Sequence, residues 1–189
     1  MRPTNLWETR IHGACAVVSA RGGGDVELWM CANVGQVSLD PPRIAINPPR
    51  LCPVWQSIRK ERRFAVGMLH EGLREAAIRL SRIRRHAPHK PELIGLRCVD
   101  DPRYGIPFAA LCRRTFLCEA EEFVETGDHI VVIARFLQLH LAPGWDRERP
   151  LLYSDIAASL GNGGRLKRAV EWTFARMGRR RGVQDLQLE

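Results

Sequence analysis

Short apolar runs, separated by residues that favour turns, make up most of the chain. Runs that are rich in β-branched side chains and bounded by glycine or proline are typical of strands. Such boundaries are clearest in the triple-glycine turn at 21–25 and in the turn at 126–128. The pattern predicts seven strands, which cover residues 13–20, 26–37, 43–47, 64–69, 112–124, 129–141 and 150–153.

A second pattern, with apolar residues three and four positions apart, predicts the helices. It is clearest over 71–86, where one face is apolar, the other carries arginines, and Pro88 and Pro91 end the helix. Shorter helices are predicted over 54–62 and 165–177. The apolar face of the clearest helix consists of Leu73, Ala76, Ala77, Leu80 and Ile83.

These elements follow one another without the regular alternation of strand and helix that builds a parallel sheet. The sequence therefore predicts a mainly β fold, namely a Greek-key-like β-barrel with accessory helices. A length of 189 residues suits one domain with a sizeable core. We expect a single domain over 1–189, with its core over about 13–153 and a C-terminal helix and basic tail over 155–189.

The turn at 38–42, Ser-Leu-Asp-Pro-Pro, is the strongest local signal in the chain. Its two prolines fix the backbone and hold the preceding residue in an extended conformation, so they end one strand and begin the next. The strand before the turn contains Trp29, Asn33 and Gly35. Glycine inside a strand is typical of a bend or of a ligand that approaches the backbone. We expect that strand to line the binding site.

The composition of the chain limits the cellular compartment in which the protein is expected and the kinds of metal or disulfide site that it is expected to contain. The chain has no apolar run near the roughly 18 residues that span a bilayer. Its N-terminus lacks the apolar segment of a secretory signal, so a cytoplasmic protein is expected. The six cysteines include no Cys-x-x-Cys pair and are expected to be reduced and mostly buried. His86 and His89 with Cys31 or Cys52 form too nonspecific a pattern to predict a metal site.

The net charge of +8 is concentrated in two arginine-rich clusters, at 74–90 and 165–181. Such clusters mostly form solvated surfaces, and few aromatic side chains are interleaved with them, so nucleic acid is not expected as a partner. A non-enzymatic interaction module that binds an acidic partner through these clusters remains an alternative. No Walker-type loop, Gly-x-Gly-x-x-Gly motif or Ser/His/Asp arrangement is present.

Four segments give the chain a resemblance to the flavin reductase-like family, whose fold is the FMN-binding split barrel. The resemblance covers roughly residues 13–153. Each segment is weak alone, but their order and spacing together indicate this fold. The segments are 37–42 (Val-Ser-Leu-Asp-Pro-Pro), 58–66 (a helix running into Phe-Ala-Val), Cys118 followed by Gly-Asp-His at 127–129, and 150–153 (Pro-Leu-Leu-Tyr).

The resemblance implies a homodimer that holds FMN or FAD near the dimer interface. Many members of the family use NAD(P)H to reduce the flavin, often for a partner monooxygenase. In such proteins the cofactor carries the redox chemistry, and the protein supplies position and electrostatics. A flavin-dependent oxidoreductase is therefore the leading functional expectation.

The resemblance and the local pattern also assign candidate site residues. His129 matches a family histidine that lies near the nicotinamide or flavin ring. Arg50 lies between prolines in a stiff loop that would hold its guanidinium for an anion, and Glu27 is a candidate acid–base group, so all three are expected to be catalytic. The cofactor is expected to contact Met30, Cys31, Ala32, Asn33, Gln36, Val37, Ser38, Arg50, Leu51, Cys52, Val54 and Lys90.

The chain departs from the family pattern where the family keeps the residues that bind the flavin phosphate and ring. Each charge-assisted hydrogen bond to a phosphate contributes about 1.5–3 kcal/mol. The replacements are therefore expected to weaken phosphate binding unless Arg50, Lys90 or backbone amides compensate. The replaced positions are 27–29 (usually Asn-Gly-Met), Met30 and Asn33 (usually Thr and Ser), and Leu51, Cys52 and Val54 (usually Ser and Thr).

A more apolar pocket supports an alternative ligand. With Met30 and Leu51 in place of hydroxyl residues, and with Trp29 and Trp55 nearby, an aromatic small molecule or haem would also suit the predicted site. Such a protein would bind or transform a small aromatic molecule with the same three candidate catalytic residues.

Overall fold

A computed structural model describes residues 13–83, 87–157 and 159–160. The predicted helix over 165–177 and the second arginine cluster lie outside these described residues. The single domain over 1–189 therefore stays a prediction.

The described part of the chain contains nine strands and four α-helices. The strands are β1 (Ala16–Gly22), β2 (Asp25–Cys31), β3 (Val34–Leu39), β4 (Pro42–Ile46), β5 (Arg63–Met68), β6 (Cys98–Asp100), β7 (Pro107–Ala109), β8 (Arg114–Thr126) and β9 (His129–Leu141). The helices are α1 (Pro53–Glu61), α2 (Arg74–Arg82), α3 (Lys90–Ile94) and α4 (Tyr153–Ala157), and a 3₁₀ turn (Glu71–Leu73) precedes α2.

Seven of the strands form one antiparallel sheet in the order β2-β1-β5-β8-β9-β4-β3. The edge strands β2 and β3 are consecutive in the chain, although the rest of the sheet separates them. Side chains from both halves of the strand order lie in one buried core, for example Cys31 of the edge strand β2 and Ile46 of β4, which lies next to the other edge. The sheet therefore curls around its own core, and the predicted mainly β barrel with accessory helices is confirmed.

Helix α1 packs into the core of this barrel. Its Val54, Trp55 and Ile58 are buried among the side chains of the sheet. Trp55 meets Phe123 of β8 edge to face, with 4.9 Å between the ring centroids. Burial of each such side chain contributes about 1.5–3 kcal/mol, so the helix is fixed firmly to the sheet. Arg62 ends the helix in a left-handed conformation (φ 62°), and β5 begins at the next residue.

The single strand predicted over 26–37 is wrong. The chain bends at Ala32 and Asn33, so β2 ends at Cys31 and β3 begins at Val34. The physical reason is strand pairing, because β2 pairs with β1 while β3 pairs with β4. Residues 32–33 therefore carry the chain from one edge of the sheet to the other, and we call them the crossing.

The strand predicted over 150–153 is also wrong. Leu152 makes only an isolated bridge to Ala14, and α4 begins at Tyr153. The Asp155 carboxylate accepts a hydrogen bond from the backbone N–H of Leu152 (2.8 Å), which stabilises the start of a helix in the manner of a capping box.

The helix predicted over 71–86 is shorter than expected. It starts as a 3₁₀ turn, and α2 ends at Arg82 because Ile83 takes an extended backbone (φ −67°, ψ 150°). The short elements α3, β6 and β7 were not predicted. Their three to five residues offer too few positions for a periodic pattern to appear.

A buried carboxylate holds the loop between β6 and β7 against β9. Asp101 is 1% exposed and accepts hydrogen bonds from the backbone N–H of Tyr104 (2.8 Å) and Arg103 (3.0 Å), and from His140 Nε2 (3.0 Å). His140 also stacks on Phe108, with ring centroids 4.9 Å apart. Burial by itself raises the pKa of Asp101, but the hydrogen bonds from Tyr104, Arg103 and His140 together bring it below the ordinary value of 3.8.

Replacing Asp101 by Asn is expected to lower the free energy of unfolding by about 2 kcal/mol at neutral pH, because an amide cannot satisfy all three donors as a carboxylate does. The folded pKa lies below the unfolded one, so this stabilisation is complete above the unfolded pKa and is lost as the pH falls through the folded pKa. Urea unfolding of both proteins at about pH 7 and about pH 3 measures the difference. An equal difference at the two pH values would contradict the prediction.

Candidate functional site

Three segments meet at one end of the barrel: the crossing at 32–33, the loop at 47–52 and the start of β9. Cys31 Sγ donates to the backbone oxygen of Asn33 (3.2 Å), which fixes the bend of the crossing. The backbone N–H of Ile130 donates to the oxygen of Pro48 (3.0 Å), so the loop continues the pairing of β4 with β9.

Arg50 ties this loop to the turn between β8 and β9. Its backbone N–H donates to the oxygen of Asp128 (3.0 Å), and its guanidinium donates to the carbonyl oxygen of Gly127 (2.8 Å) and to a carboxylate oxygen of Glu125 (3.1 Å). The side chain is 34% exposed. Arg50 therefore lies at the β8–β9 turn, with a carbonyl and a carboxylate as its partners.

His129 opens β9 directly beside this loop, where it bridges to Pro49. Its Nδ1 is 2.7 Å from Asp128 Oδ1, so the carboxylate favours the tautomer with its proton on Nδ1. The imidazole is 40% exposed. The pair is thus an oriented histidine, open to solvent, whose Nε2 can exchange a proton with a ligand.

Strand β3 is the edge strand next to β4, and β4 leads into the loop. Its register with β4 shifts between Gln36 and Ser38, and it is the last strand of the described sheet. A Cβ added at Gly35 would meet nothing within 4 Å. Val37 and Leu39 are 55% and 80% exposed. A flat ligand can therefore approach both the backbone and the apolar side chains of this strand.

Leu51, Cys52 and Val54 lead from the loop into α1 and offer few polar atoms. Leu51 is exposed, whereas Cys52 and Val54 are buried. The N–H of Cys52 donates to the oxygen of Pro49 (2.9 Å), and no side chain caps the helix.

The cysteines at this end of the barrel are buried. Burial raises the pKa of Cys31 to about 12, although hydrogen bonds with the backbone of Asn33 and Asn47 act in the opposite direction. A buried, protonated thiol is a poor nucleophile and a poor metal ligand. Among the described residues, no group of three or more His, Cys, Asp and Glu side chains lies in an arrangement that could hold a metal ion.

Glu27 and Lys90 form an ion pair away from the loop. Lys90 Nζ lies 2.5 Å from Glu27 Oε2, and the two side chains are 2% and 21% exposed. Glu27 precedes Cys31 by four residues on β2, which is about 13 Å along a strand. Lys90 opens α3, so the pair fastens that helix to an edge of the sheet.

The structure therefore brings most of the sequence-predicted site residues together but not all of them. Gln36, Val37 and Ser38 lie farther along β3, and Glu27 and Lys90 lie apart. Their roles stay predictions. The residues that lie at this end are Cys31, Ala32, Asn33, Arg50, Leu51, Cys52 and His129, and Met30 and Val54 adjoin them in the chain.

The acidic partners in this region were not among the predicted site residues. For Asp128, its position immediately before a histidine and after a glycine was the available signal. Glu125 and Arg50 are 75 residues apart in the chain, so no local pattern pairs them.

Part of the first arginine cluster is engaged within the fold. Arg74 bonds the carboxylate of Glu71 (2.7 Å). Arg149 joins Glu71 (3.1 Å) to Asp155 (2.8 Å), which links the start of α2 with α4. These contacts reduce the free positive charge of that surface.

A curled antiparallel sheet closed by α1 is the architecture of the split-barrel class of proteins. Residues 9–159 match the family described as the flavin reductase like domain. The chain belongs to the flavin reductase-like family, and the resemblance drawn from its sequence is confirmed.

Solved structures share this split barrel. NADH:FAD oxidoreductase SgcE6 of Streptomyces globisporus is 20% identical, with a TM-score of 0.65 over 75% of this chain and 81% of that chain. Nitrilotriacetate monooxygenase component B from Mycobacterium thermoresistibile is 24% identical, with a TM-score of 0.66 over 75% of each chain. The FMN-binding protein from Thermus thermophilus with bound p-hydroxybenzaldehyde is 21% identical, with a TM-score of 0.68 over 77% of this chain and 83% of that chain.

A curated relative is the stachydrine N-demethylase reductase subunit Stc3 of Rhizobium meliloti (strain 1021). It is 24% identical over 99 residues, which is 52% of this chain. The matched region spans only 40% of the length of that relative. Separately, none of the helices within the described ranges is long and apolar enough to cross a membrane.

Replacing Glu27 by Gln is expected to lower the free energy of unfolding by about 3 kcal/mol, because it leaves the Lys90 ammonium buried without its opposite charge. Adding Lys90→Met to this variant is expected to recover most of the loss, since both charges are then removed. Chemical denaturation of the wild type, the single variant and the double variant measures both effects.

The matched control for this pair is Glu122→Gln, which removes an exposed carboxylate of β8. Its effect should stay within about 0.5 kcal/mol. If the double variant were no more stable than Glu27→Gln alone, the two residues would not act as a compensated buried pair.

Proposed function

We propose that the protein is a cytoplasmic flavin reductase that binds FMN or FAD, reduces it with NADH or NADPH, and supplies the reduced flavin to a monooxygenase. The observation that carries the proposal is the meeting, in a chain of this family, of the Asp128–His129 pair, the loop at 47–52 and the open edge of β3. The names of similar proteins support the class, since they include an NADH:FAD oxidoreductase, a monooxygenase component B and a demethylase reductase subunit.

The residues present fit the ring of a flavin. An isoalloxazine ring has a flat apolar face and a polar edge, which suits an unpaired strand edge with open space at Gly35 and an exposed Val37. The ring would be held by residues 30–33 and 36–38 together with the loop. A bound flavin would supply the redox chemistry as a hydride acceptor, and the chain would supply position and polarity. His129, whose Nδ1 proton is directed at Asp128, would present Nε2 beside the ring as a hydrogen-bond and proton acceptor.

A second candidate is the binding or conversion of a small aromatic molecule. The exposed Val37, Leu39 and Leu51 favour it. One similar solved structure, the FMN-binding protein from Thermus thermophilus, carries bound p-hydroxybenzaldehyde. The similar proteins give no support to haem, which we do not propose.

The proposed function also includes a homodimer. Leu139, Leu141 and Trp145 are 45%, 46% and 39% exposed. In the β8–β9 register Leu141 is opposite Arg114, and the Arg114 guanidinium lies 5.3 Å from the centroid of the Trp145 ring. We propose that a second copy of the chain covers these exposed apolar side chains.

The dimer is tested by light scattering during gel filtration, which is expected to give twice the mass of one chain. Changing both Leu139 and Leu141 to Lys is expected to shift the protein towards monomer, because two charges would have to be desolvated at the interface. Leu93→Lys, at a residue of α3 that is 58% exposed, is the control and should remain dimeric. A monomeric wild type at micromolar concentration would contradict the proposal.

Replacing His129 by Asn is expected to slow flavin-dependent oxidation of NAD(P)H by about 10²-fold, because the oriented imidazole nitrogen that exchanges a proton is lost. The rate is followed through the absorbance of the reduced nicotinamide, and flavin binding through quenching of flavin fluorescence. The control is His89→Asn, since His89 is exposed and has a left-handed backbone (φ 51°) that Asn tolerates. A wild type that neither quenches flavin fluorescence nor oxidises NAD(P)H would overturn the function.

A further inference from the structure

Two arginines of the described residues, Arg50 in the loop and Arg43 four residues before the loop on β4, are already paired with acids. The Arg50 guanidinium is bonded to Gly127 and Glu125. Arg43 on β4 lies 2.6 Å from a carboxylate oxygen of Glu121. A phosphate would have to compete with these carboxylates for each guanidinium, and competition of this kind removes most of the gain from a charge-assisted hydrogen bond.

Lys90 was the other cation expected to reach a phosphate. Its side chain is only 2% exposed, and its ammonium is bonded to Glu27. A ligand cannot reach an ammonium that is buried in this way without breaking the ion pair and opening the contact between α3 and β2. Lys90 therefore supplies no charge to a bound anion.

The start of α1 offers few backbone donors. The first-turn residue Pro53 has no N–H, and the N–H of Cys52 is already bonded to Pro49. The next two residues, Val54 and Trp55, are 0% and 7% exposed. Their amides lie at buried residues, so they do not form an open anion site.

The local charge balance also opposes an anion. Among the described residues, four acidic residues lie along the end of the β8–β9 hairpin nearest the loop, against Arg43 and Arg50, which are paired with acids, and Arg62, which lies over the Phe123 ring. A phosphate monoester carries up to two negative charges near neutral pH and is repelled by such a surface. The acidic residues are Glu121, Glu122, Glu125 and Asp128.

We infer that this chain recognises the isoalloxazine ring of its flavin and not the phosphate, so that riboflavin and FMN bind with nearly equal affinity. The inference rests on the proposed function and narrows its substrate class to the flavin ring system, with or without a phosphate ester. The residues that set this specificity are Leu51, Cys52 and Val54, which carry no hydroxyl group, together with Glu125, which pairs with Arg50.

Riboflavin and FMN are a matched pair of probes because they differ only in the phosphate. One charge-assisted hydrogen bond to that phosphate would favour FMN by about tenfold or more. The dissociation constants of both are measured by fluorescence quenching and by calorimetry, at about 20 mM and about 500 mM NaCl. The expected result is a preference for FMN below tenfold, with no weakening of FMN binding as salt is added.

A gain-of-function variant tests the position of the phosphate. Leu51→Arg adds an unpaired cation at a residue that is 51% exposed, so folding should be unaffected. It is expected to raise the affinity for FMN relative to that for riboflavin by about fivefold or more at low salt. Leu93→Arg, with a similar exposure of 58%, adds the same charge away from the loop and should change neither ligand.

The outcomes separate the inference from the function on which it rests. Binding of both flavins with an FMN preference of tenfold or more, weakened by salt, overturns the inference and leaves the proposed function in place. If neither riboflavin nor FMN binds, the inference and the proposed function are both overturned. A Leu51→Arg variant whose FMN and riboflavin affinities match the wild type overturns the assignment of the loop at 51–54 to the phosphate side.

Discussion

The loop at 47–52 forms few backbone hydrogen bonds within itself, and the site depends on the hydrogen bonds that attach this loop to the β8–β9 hairpin. Pro48, Pro49 and Pro53 carry no N–H, so the loop has few backbone donors. The N–H of Ile130 and the N–H of Arg50 supply the missing bonds across the gap, both at 3.0 Å. These bonds set the direction in which the chain enters α1, and they hold the loop against the residue that opens β9. The position of the core helix and the position of His129 are therefore fixed by the same contacts.

The crossing at 32–33 depends on this arrangement in turn. A sheet whose two edge strands are consecutive in the chain must bring those edges near each other, and the buried core that both sides share keeps them there. Cys31 stabilises the bend through the oxygen of Asn33 and is itself buried in the core. The start of β3 and the loop consequently share one end of the barrel, since Val34 pairs with Ile46. The geometry of the candidate site thus follows from the closure of the sheet.

The sequence predicts the fold better than it predicts the contacts within the site. Strand β9 was predicted with both ends correct, because a Gly-Asp turn precedes it and apolar residues fill it. The strand over 26–37 was predicted as one element because each half has a strand pattern, and only the pairing with distant strands separates them. The carboxylate partners of Arg50 and Lys90 could not be predicted from the sequence for the same reason. Lys90 and Glu27 are 63 residues apart, and no periodicity or motif links them.

Arg50 performs a structural task that conflicts with the role its position suggests. A guanidinium held in a stiff loop would suit an anion, but here it supplies donors that attach the loop to Gly127 and Glu125. Turning it towards a phosphate would sacrifice a hydrogen bond to a carbonyl and leave an acidic hairpin end uncompensated. Pro48 and Pro49 carry no N–H that could replace the donors of the Arg50 guanidinium. The loop would therefore lose these side-chain attachments to the hairpin if this side chain turned away. A relative with the same loop sequence could therefore acquire phosphate recognition only through a new donor, and not through a rearrangement of Arg50.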